Sequence, residues 1–166
     1  GIFSANKYTA FSAATYANSV SGANIIDVIA KMKLSCLANK YNPDVVIMNQ
    51  NEIDNIAAIK NQLDDSIMDR RVRFDALGNP AFVCGLRVIV NTDLADDVAI
   101  VMDSKQALLG IRKEMEMKIG YNGTDLTEGQ QTVVLNVRVA FAVRDKAGVI
   151  YSSGLEADVA TIDKAV

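Results

Sequence analysis

The stretch GLRVIVNTDLADDVAIVMDSKQALLGIRKEMEMKIG, Gly85 to Gly120, holds two different kinds of β-strand and the polar residues that divide them. Leu86 to Val90 is short and apolar, and Gly85 separates it from a preceding short strand that ends at Phe82-Val83-Cys84. Thr92 to Asp97 is a polar turn. Val98 to Met102 is an unbroken apolar run, the pattern of a strand covered on both faces. Asp103 or Ser104 is placed to cap a short helix through Leu109. Further on, Met115, Met117, Ile119 and Tyr121 alternate with Glu116, Lys118 and Gly120, the period of two that marks a strand with one wet face. A buried sheet and a long half-exposed strand are therefore expected side by side.

Downstream, the loop NGTDLTEGQQ leads into a second long strand, Thr132 to Arg144, whose odd positions Val133, Leu135, Val137, Val139, Phe141 and Val143 are all apolar. DKAG is a turn, VIY a short final strand, and Glu156 onward a small charged tail. Upstream, NPDVVIMNQNEIDNIAAIK (Asn42 to Lys60) is a strand-to-helix unit. Val45 to Met48 is its buried strand. Ile53, Ile56, Ala57 and Lys60 mark a helix of about three turns. Asn49 stands three residues before Glu52, as in a capping box, so Asn49 or Asn51 is expected to satisfy free amides at the helix start. An earlier helix carries the stripe Ile25, Ile29, Met32 and Cys36, widened by Ile26, Ala30 and Leu37. Ser21 and Asn24 are its candidate caps, Asp27 favours the positive end of its dipole, and Pro43 bars its continuation. Gly1 to Val20 reads as an extended or loop segment, whose aromatics Phe3, Tyr8, Phe11 and Tyr16 need a surface to lie on. Leu63 to Asp75 is a balanced charged run in which Arg70, Arg71 and Arg73 accompany Asp64, Asp65, Asp69 and Asp75. Such runs form solvated faces or subunit contacts.

The 166 residues suit one domain, or one with a small extension, able to bury roughly two-thirds of its unfolded surface. Half the residues are hydrophobic and 22% are charged, which is ordinary globular usage. A net charge of −3 gives no electrostatic footprint for nucleic acid or for an anionic membrane. No apolar run reaches the roughly 20 residues that span a bilayer, and the first twenty residues have no signal-peptide pattern. There is no His, which removes the usual acid/base of neutral-pH catalysis, the Ser-His and Cys-His pairs and the commonest metal ligand. Cys36 and Cys84 lie outside any CxxC spacing and read as buried, reduced thiols. The phosphate-loop, dinucleotide and nucleophile-elbow motifs are absent. Asp93, Asp96, Asp97 and Asp103 lack the alternating oxygens and turn glycine of a calcium loop, so they read as solvated.

Read in order, four blocks resemble the C-terminal half or more of tailed-phage major capsid proteins of the Hong Kong 97 type. They are GIF at Gly1–Phe3; GANIIDVIAKM followed by Asn42–Lys60; Gly85–Gly120; and VVLNVRVAFAVRDKAGVIY at Val133–Tyr151. The resemblance spans most of residues 1 to 150. It implies an α+β Hong Kong 97-type capsid fold: an axial-type domain with a mixed sheet flanked by helices, plus a long-stranded peripheral β element. The segments would be 1–20 (extended connection), 21–109 (axial-type domain), 110–143 (peripheral-type strands) and 144–166 (return strand and tail). The implied role is a self-assembling subunit of an icosahedral phage or prophage shell, closing into pentamers and hexamers. No catalytic, cofactor-binding or metal residues follow, and no small-molecule substrate, specific nucleic acid or membrane partner. The expected location is the virion capsid, with synthesis in the bacterial host cytoplasm.

Subunit contacts are expected at Arg70, Arg71, Arg73, Met115, Met117, Ile119, Val133, Leu135, Val137 and Val139. The family's N-terminal arm, extended loop and long spine helix have no counterpart here, so the ribbon stripe is expected to lack its cover. Asn136 stands where crosslinking relatives carry a Glu, so no crosslinking activity is expected. Two alternatives stay open: an encapsulin-like nanocompartment shell, and a cytosolic α/β ligand-binding or enzymatic domain of another family.

Overall fold

The computed structural model describes residues 7–59, 71–121 and 123–164. In chain order these form β1 (Thr9–Ala10), α1 (Ile25–Ala38), β2 (Val45–Met48), α2 (Gln50–Ala58), β3 (Val72–Phe74), β4 (Pro80–Val83) and β5 (Leu86–Val90). There follow β6 (Ala99–Met102), β7 (Ala107–Gly120), α3 (Asp125–Glu128), β8 (Thr132–Val143), β9 (Val149–Ser152) and α4 (Leu155–Ile162). Seven strands make one mixed sheet in the order β1-β9-β6-β2-β5-β4-β3, and β7 pairs with β8 in a separate ribbon. In the middle of the sheet, β2 runs parallel to β5 and antiparallel to β6.

The alternation of side chains along each strand sorts the core into two layers. Val46, Met48, Val72, Val83, Leu86, Val101 and Ile150 meet α1, α2 and α4 through Ile26, Ile29, Met32, Cys36, Ile53, Ile56, Leu155 and Ile162. Val45, Ile100, Met102 and Val149 point the other way, under Tyr8, Ala107, Val143 and Tyr151. The mixed sheet, its helices and the separate long-stranded ribbon are the architecture expected from the sequence.

Local chemistry explains the element ends. Asn24, rather than Ser21, caps α1 in a reciprocal box: Asp27 N donates to Asn24 Oδ1 (3.2 Å) and Asn24 N to Asp27 Oδ2 (3.1 Å). The buried stripe of α1 includes Ile26 and Val28, while Ile25 is half-buried and Leu37 is exposed. Cys84 and Gly85 both have positive φ (52° and 77°), the backbone of a two-residue hairpin whose twist suits the flanking strands. Cys84 is held there by its N–H to Arg71 O (2.6 Å) and by Lys33 Nζ donating to its carbonyl (2.7 Å). Neither thiol is in a disulfide: Cys36 is buried and meets Gly148 O (3.7 Å), and Cys84 is half-buried and meets Ile26 O (3.6 Å).

Four expectations change. Asn49 has the backbone of a cap on α2, but its side chain caps nothing. Its Nδ2 donates to Leu94 O (2.7 Å) and Asp96 Oδ1 (2.9 Å), and Asn51 Nδ2 donates to the same Asp96 oxygen (2.9 Å). The 91–97 loop lies against the helix start and competes successfully for these amides. Second, Asp103 caps one 3₁₀ turn, Ser104–Gln106, and the chain is already a strand at Ala107 because that residue pairs with Val143. Third, the residues after Gly154 are a docked helix. Leu155 and Ile162 are fully buried with Val159 between them, an i, i+4, i+7 face packed against α1. Gly154 has no side chain to cap that helix, so Asp97 does it, accepting Glu156 N at Oδ1 (2.7 Å) and Leu155 N at its carbonyl (3.0 Å). Fourth, the opening segment adds β1 parallel to β9, with Tyr8 against Tyr151 (centroids 4.5 Å apart) and Phe11 against Tyr16 (6.0 Å). Phe3 lies outside the described residues.

The ribbon is an excursion between sheet neighbours, since β6 and β9 pair antiparallel with Met102 opposite Val149. The chain leaves and returns at one junction, closed by Arg144 N to Gln106 O (2.8 Å) and Asp103 N to Gly148 O (3.1 Å). Tyr41 donates its hydroxyl to Asp145 Oδ2 (2.5 Å), and Asn39 Nδ2 donates to Ala147 O (3.0 Å). The Tyr41 hydrogen bond, then the Ala147 amide, hold the Asp145 carboxyl below its ordinary range. A lowered folded pKa contributes stability above the unfolded value and loses it as pH falls through the folded one. Tyr41→Phe should therefore flatten the acid limb of stability against pH, read from urea midpoints between neutral and strongly acid pH. A Cβ on Gly148 would sit 2.7 Å from Gln106 Cγ and 3.1 Å from the Tyr41 ring. Gly148→Ala should cost about 1–3 kcal/mol by overpacking. Leu155→Ala, at the fully buried start of α4, should cost about 2–5 kcal/mol in urea unfolding. An unchanged midpoint for Leu155→Ala would mean the helix is not docked.

Candidate subunit interface

The ribbon pairs Ile119 with Val133, Met117 with Leu135, Ile111 with Val139 and Leu109 with Phe141. Register shifts fall between Ile111 and Lys113 and between Lys113 and Glu116, where β7 advances one residue more than β8 each time. These are β-bulges. Each reverses the inside–outside phase, so the second restores what the first inverts, and odd residues of β7 lie with odd residues of β8 at both ends. The result is one long apolar face: Leu109, Ile111, Met117 and Ile119 beside Val133, Leu135, Val137 and Val139. Their exposures run from 54% to 67%. Met115, between the bulges, is 73% exposed. The other face carries Glu116, ion-paired to Lys113 and Lys118, opposite Asn136, with Val134 beside them.

A two-stranded ribbon is marginal on its own in water and needs a third layer on its apolar face. Each such side chain gains about 1.5–3 kcal/mol when fully covered. Large exposed apolar faces in general accompany contacts with protein, ligand or membrane.

Of the arginines, Arg70 lies outside the described residues. Arg71 pairs with Asp27 through Nη1 to Oδ1 at 2.6 Å. Arg73 is exposed on β3, in the seven-stranded sheet. Arg73 and the ribbon residues therefore sit in different sheets. Arg73 is also the register partner of Phe82, and Phe82 of Arg87. The sequence alone does not join these residues, because their pairing depends on the hairpin at Cys84–Gly85.

Among the described residues, no group of three or more Cys, Asp or Glu could hold a metal ion. Burial, then the Asp103 charge, pushes the Cys36 thiol up to about 11. At neutral pH it is protonated and a poor nucleophile. Asp158 is pushed up by burial despite accepting the Ser152 hydroxyl, with the Asp97 charge adding to the rise.

A family model described as "Phage capsid family" matches residues 1–153. No curated protein matches the chain. A solved structure from Microbacterium phage Oxtober96 is similar at 18% identity, covering 84% of this chain and 47% of that one, with a TM-score of 0.59. A chain from "Capsid of empty GTA particle computed with C5 symmetry" has 17% identity, 87% and 48% coverage and a TM-score of 0.58. A third, from "Phage G gp27 major capsid proteins and gp26 decoration proteins", has 8% identity, 90% and 51% coverage and a TM-score of 0.57. The chain thus spans about half the length of these structures. At such identities the likeness is one of fold.

Two outcomes follow from the ribbon's exposure. Met117→Ser with Leu135→Ser should sharply reduce binding of a hydrophobic dye and weaken self-association in sedimentation runs. The unfolding midpoint should stay within about 0.5 kcal/mol per site, since both side chains are already wet. Dye binding unchanged by the pair would show that the face is covered.

Proposed function

The chain belongs to the phage capsid family, and from that premise we propose that it is a structural subunit of an icosahedral phage or prophage shell, with no catalytic task of its own. The observation that carries the reading is the open apolar face of β7–β8, tied at its base to the packed sheet. Such a face is a burden to an isolated enzyme domain and an asset to a subunit whose neighbours or other segments cover it. In this reading the sheet domain of residues 21–109 is the axial-type part that lines pentamer and hexamer centres. Residues 110–143 form the peripheral-type arm, and residues 144–166 return the chain to the sheet. Head-to-tail contacts between unlike surfaces close into rings when the rotation closes, and rings tile the shell.

Met115, Met117, Ile119, Val133, Leu135, Val137 and Val139 would bury against a spine-type helix or a neighbouring copy, and Arg70, Arg71 and Arg73 would meet an adjacent subunit. The subunit would be made in the host cytoplasm and end in the virion. Electron microscopy of the full-length protein carrying these residues should reveal closed particles or capsomer rings. A full-length protein that stays monomeric under assembly conditions would refute the shell role.

A further inference from the structure

Two patches of opposite charge lie at different ends of the sheet. Arg73, Phe82 and Arg87 are register partners across β3, β4 and β5, so all three leave the same face, and none is buried. Directly opposed residues on neighbouring strands hold their Cβ atoms about 5 Å apart, so the three side chains form a continuous row. Arg73 and Arg87 have no ion pair or side-chain hydrogen bond among the described residues. A cleft of about 360 Å³ opens beside them, lined by Arg71, Arg73, Phe82 and Gly85.

Arg87 lies opposite Val45, at the start of β2. At the far end of β2, the first turn of α2, the 91–97 loop and the start of α4 are tied together. The ties are Asn49 and Asn51 to Asp96, Asp97 N to Glu52 Oε1 (3.1 Å), and Glu156 N to Asp97. Glu52, Asp93, Asp96, Asp97, Glu156 and Asp158 all lie on these tied segments, and none has a Lys or Arg partner among the described residues. Glu52 is 5% exposed, and its Oε2 has no hydrogen-bond partner among the described residues. A buried carboxylate left half-satisfied is costly, and in its low-dielectric setting it attracts a cation brought to the nearby surface. Burial chiefly raises the Asp158 pKa, and the nearby Asp97 charge adds to the rise. The described residues offer no metal-binding group that would supply it.

We propose that the acidic end, centred on Glu52, Asp93 and Glu156, receives the Arg73–Phe82–Arg87 row of a second copy of this chain. The proposal rests on the shell reading and adds to it the two surfaces that meet around a ring. A closed ring of identical subunits needs complementary, non-identical patches on one chain, which these are. Charge of this kind sets register and partner choice, while apolar area elsewhere supplies affinity.

The test uses the full-length protein carrying these residues, with ring and particle yield read by native mass spectrometry and electron microscopy. Arg73→Glu with Arg87→Glu should cut ring yield at least tenfold, and so should Asp93→Arg with Glu156→Arg. Mixing these two variants should restore rings of even subunit number, because each reversed patch then faces its complement in alternation. That restoration also demonstrates that both variants are folded. Arg73→Gln with Arg87→Gln, which removes charge without adding repulsion, should lower the yield by less than the reversal. Reversal or neutralisation that leaves the yield unchanged, or folded variants that restore nothing on mixing, would overturn the proposal and leave the shell reading intact. Variants that alter only divalent-cation or nucleic-acid binding would reassign the patches and overturn it as well. A wild-type protein that forms no rings would remove both readings.

Discussion

The constraint from which the rest follows is the junction where the chain leaves the sheet after Met102 and rejoins it at Val149. Because those residues are opposite each other in an antiparallel pair, everything between them must depart and return within one strand spacing. The sequence meets that demand with two 3₁₀ turns capped by Asp103 and Asp145, a backbone bond from Arg144 to Gln106, and a glycine where the Tyr41 ring and Gln106 leave no room for a Cβ. Lys7 lies over Phe141 and Thr9 Oγ1 donates to Lys146 O, so the opening segment straps the same point. An excursion tied this tightly at its base acts as an arm of the body, and whatever covers the ribbon is coupled mechanically to the sheet.

How much of this was legible in the sequence depended on whether a pattern was local. The buried runs Val45–Met48 and Ala99–Met102 and the alternation in both long strands announced themselves, because each is fixed by its own side chains. The bulges near Lys113 did not, since they appear only when β7 is counted against β8. Helix α4 was missed for a different reason. Its face, Leu155, Val159 and Ile162, is a helical spacing present in the sequence, but Gly154 cannot cap it. The cap comes from Asp97, which accepts the Glu156 amide across 59 residues of chain. Asn49 failed in the opposite direction: the local signal for a cap was present, and the 91–97 loop took the side chain instead. The candidate interface divided along the same line. The stripe Val133–Val139 could be read directly, whereas the row Arg73–Phe82–Arg87 exists only after the hairpin at Cys84 folds.

The two surfaces differ in what they can contribute. The ribbon's apolar face offers area, and area is non-directional: it gives affinity and says little about register beyond the pleat. Charges placed on the sheet body offer little net affinity in water but discriminate strongly between right and wrong orientations. A subunit that must join several neighbours at fixed angles benefits from separating these tasks. Under the proposed shell role, the apolar ribbon and the charged patches on the sheet body would divide these tasks.

The strand-to-helix unit of Val45–Ala58 has the outline of an enzyme core, with its polar side chains turned to structural tasks. In open α/β sheets the ends of parallel strands commonly hold ligands, since helix N-termini and loop residues converge there. Here the same convergence occurs, with two helices beginning beside each other. Its polar groups are engaged instead: Asn49 and Asn51 hold Asp96, Glu52 holds the amide of Asp97, and Asp97 caps α4. The side-chain amides of Asn49 and Asn51 and the backbone amides of Asp97, Leu155 and Glu156 are engaged in joining α2, the loop and α4 into one end. What remains unbalanced is negative charge, and that is better suited to meeting a positively charged protein surface than to holding a phosphate.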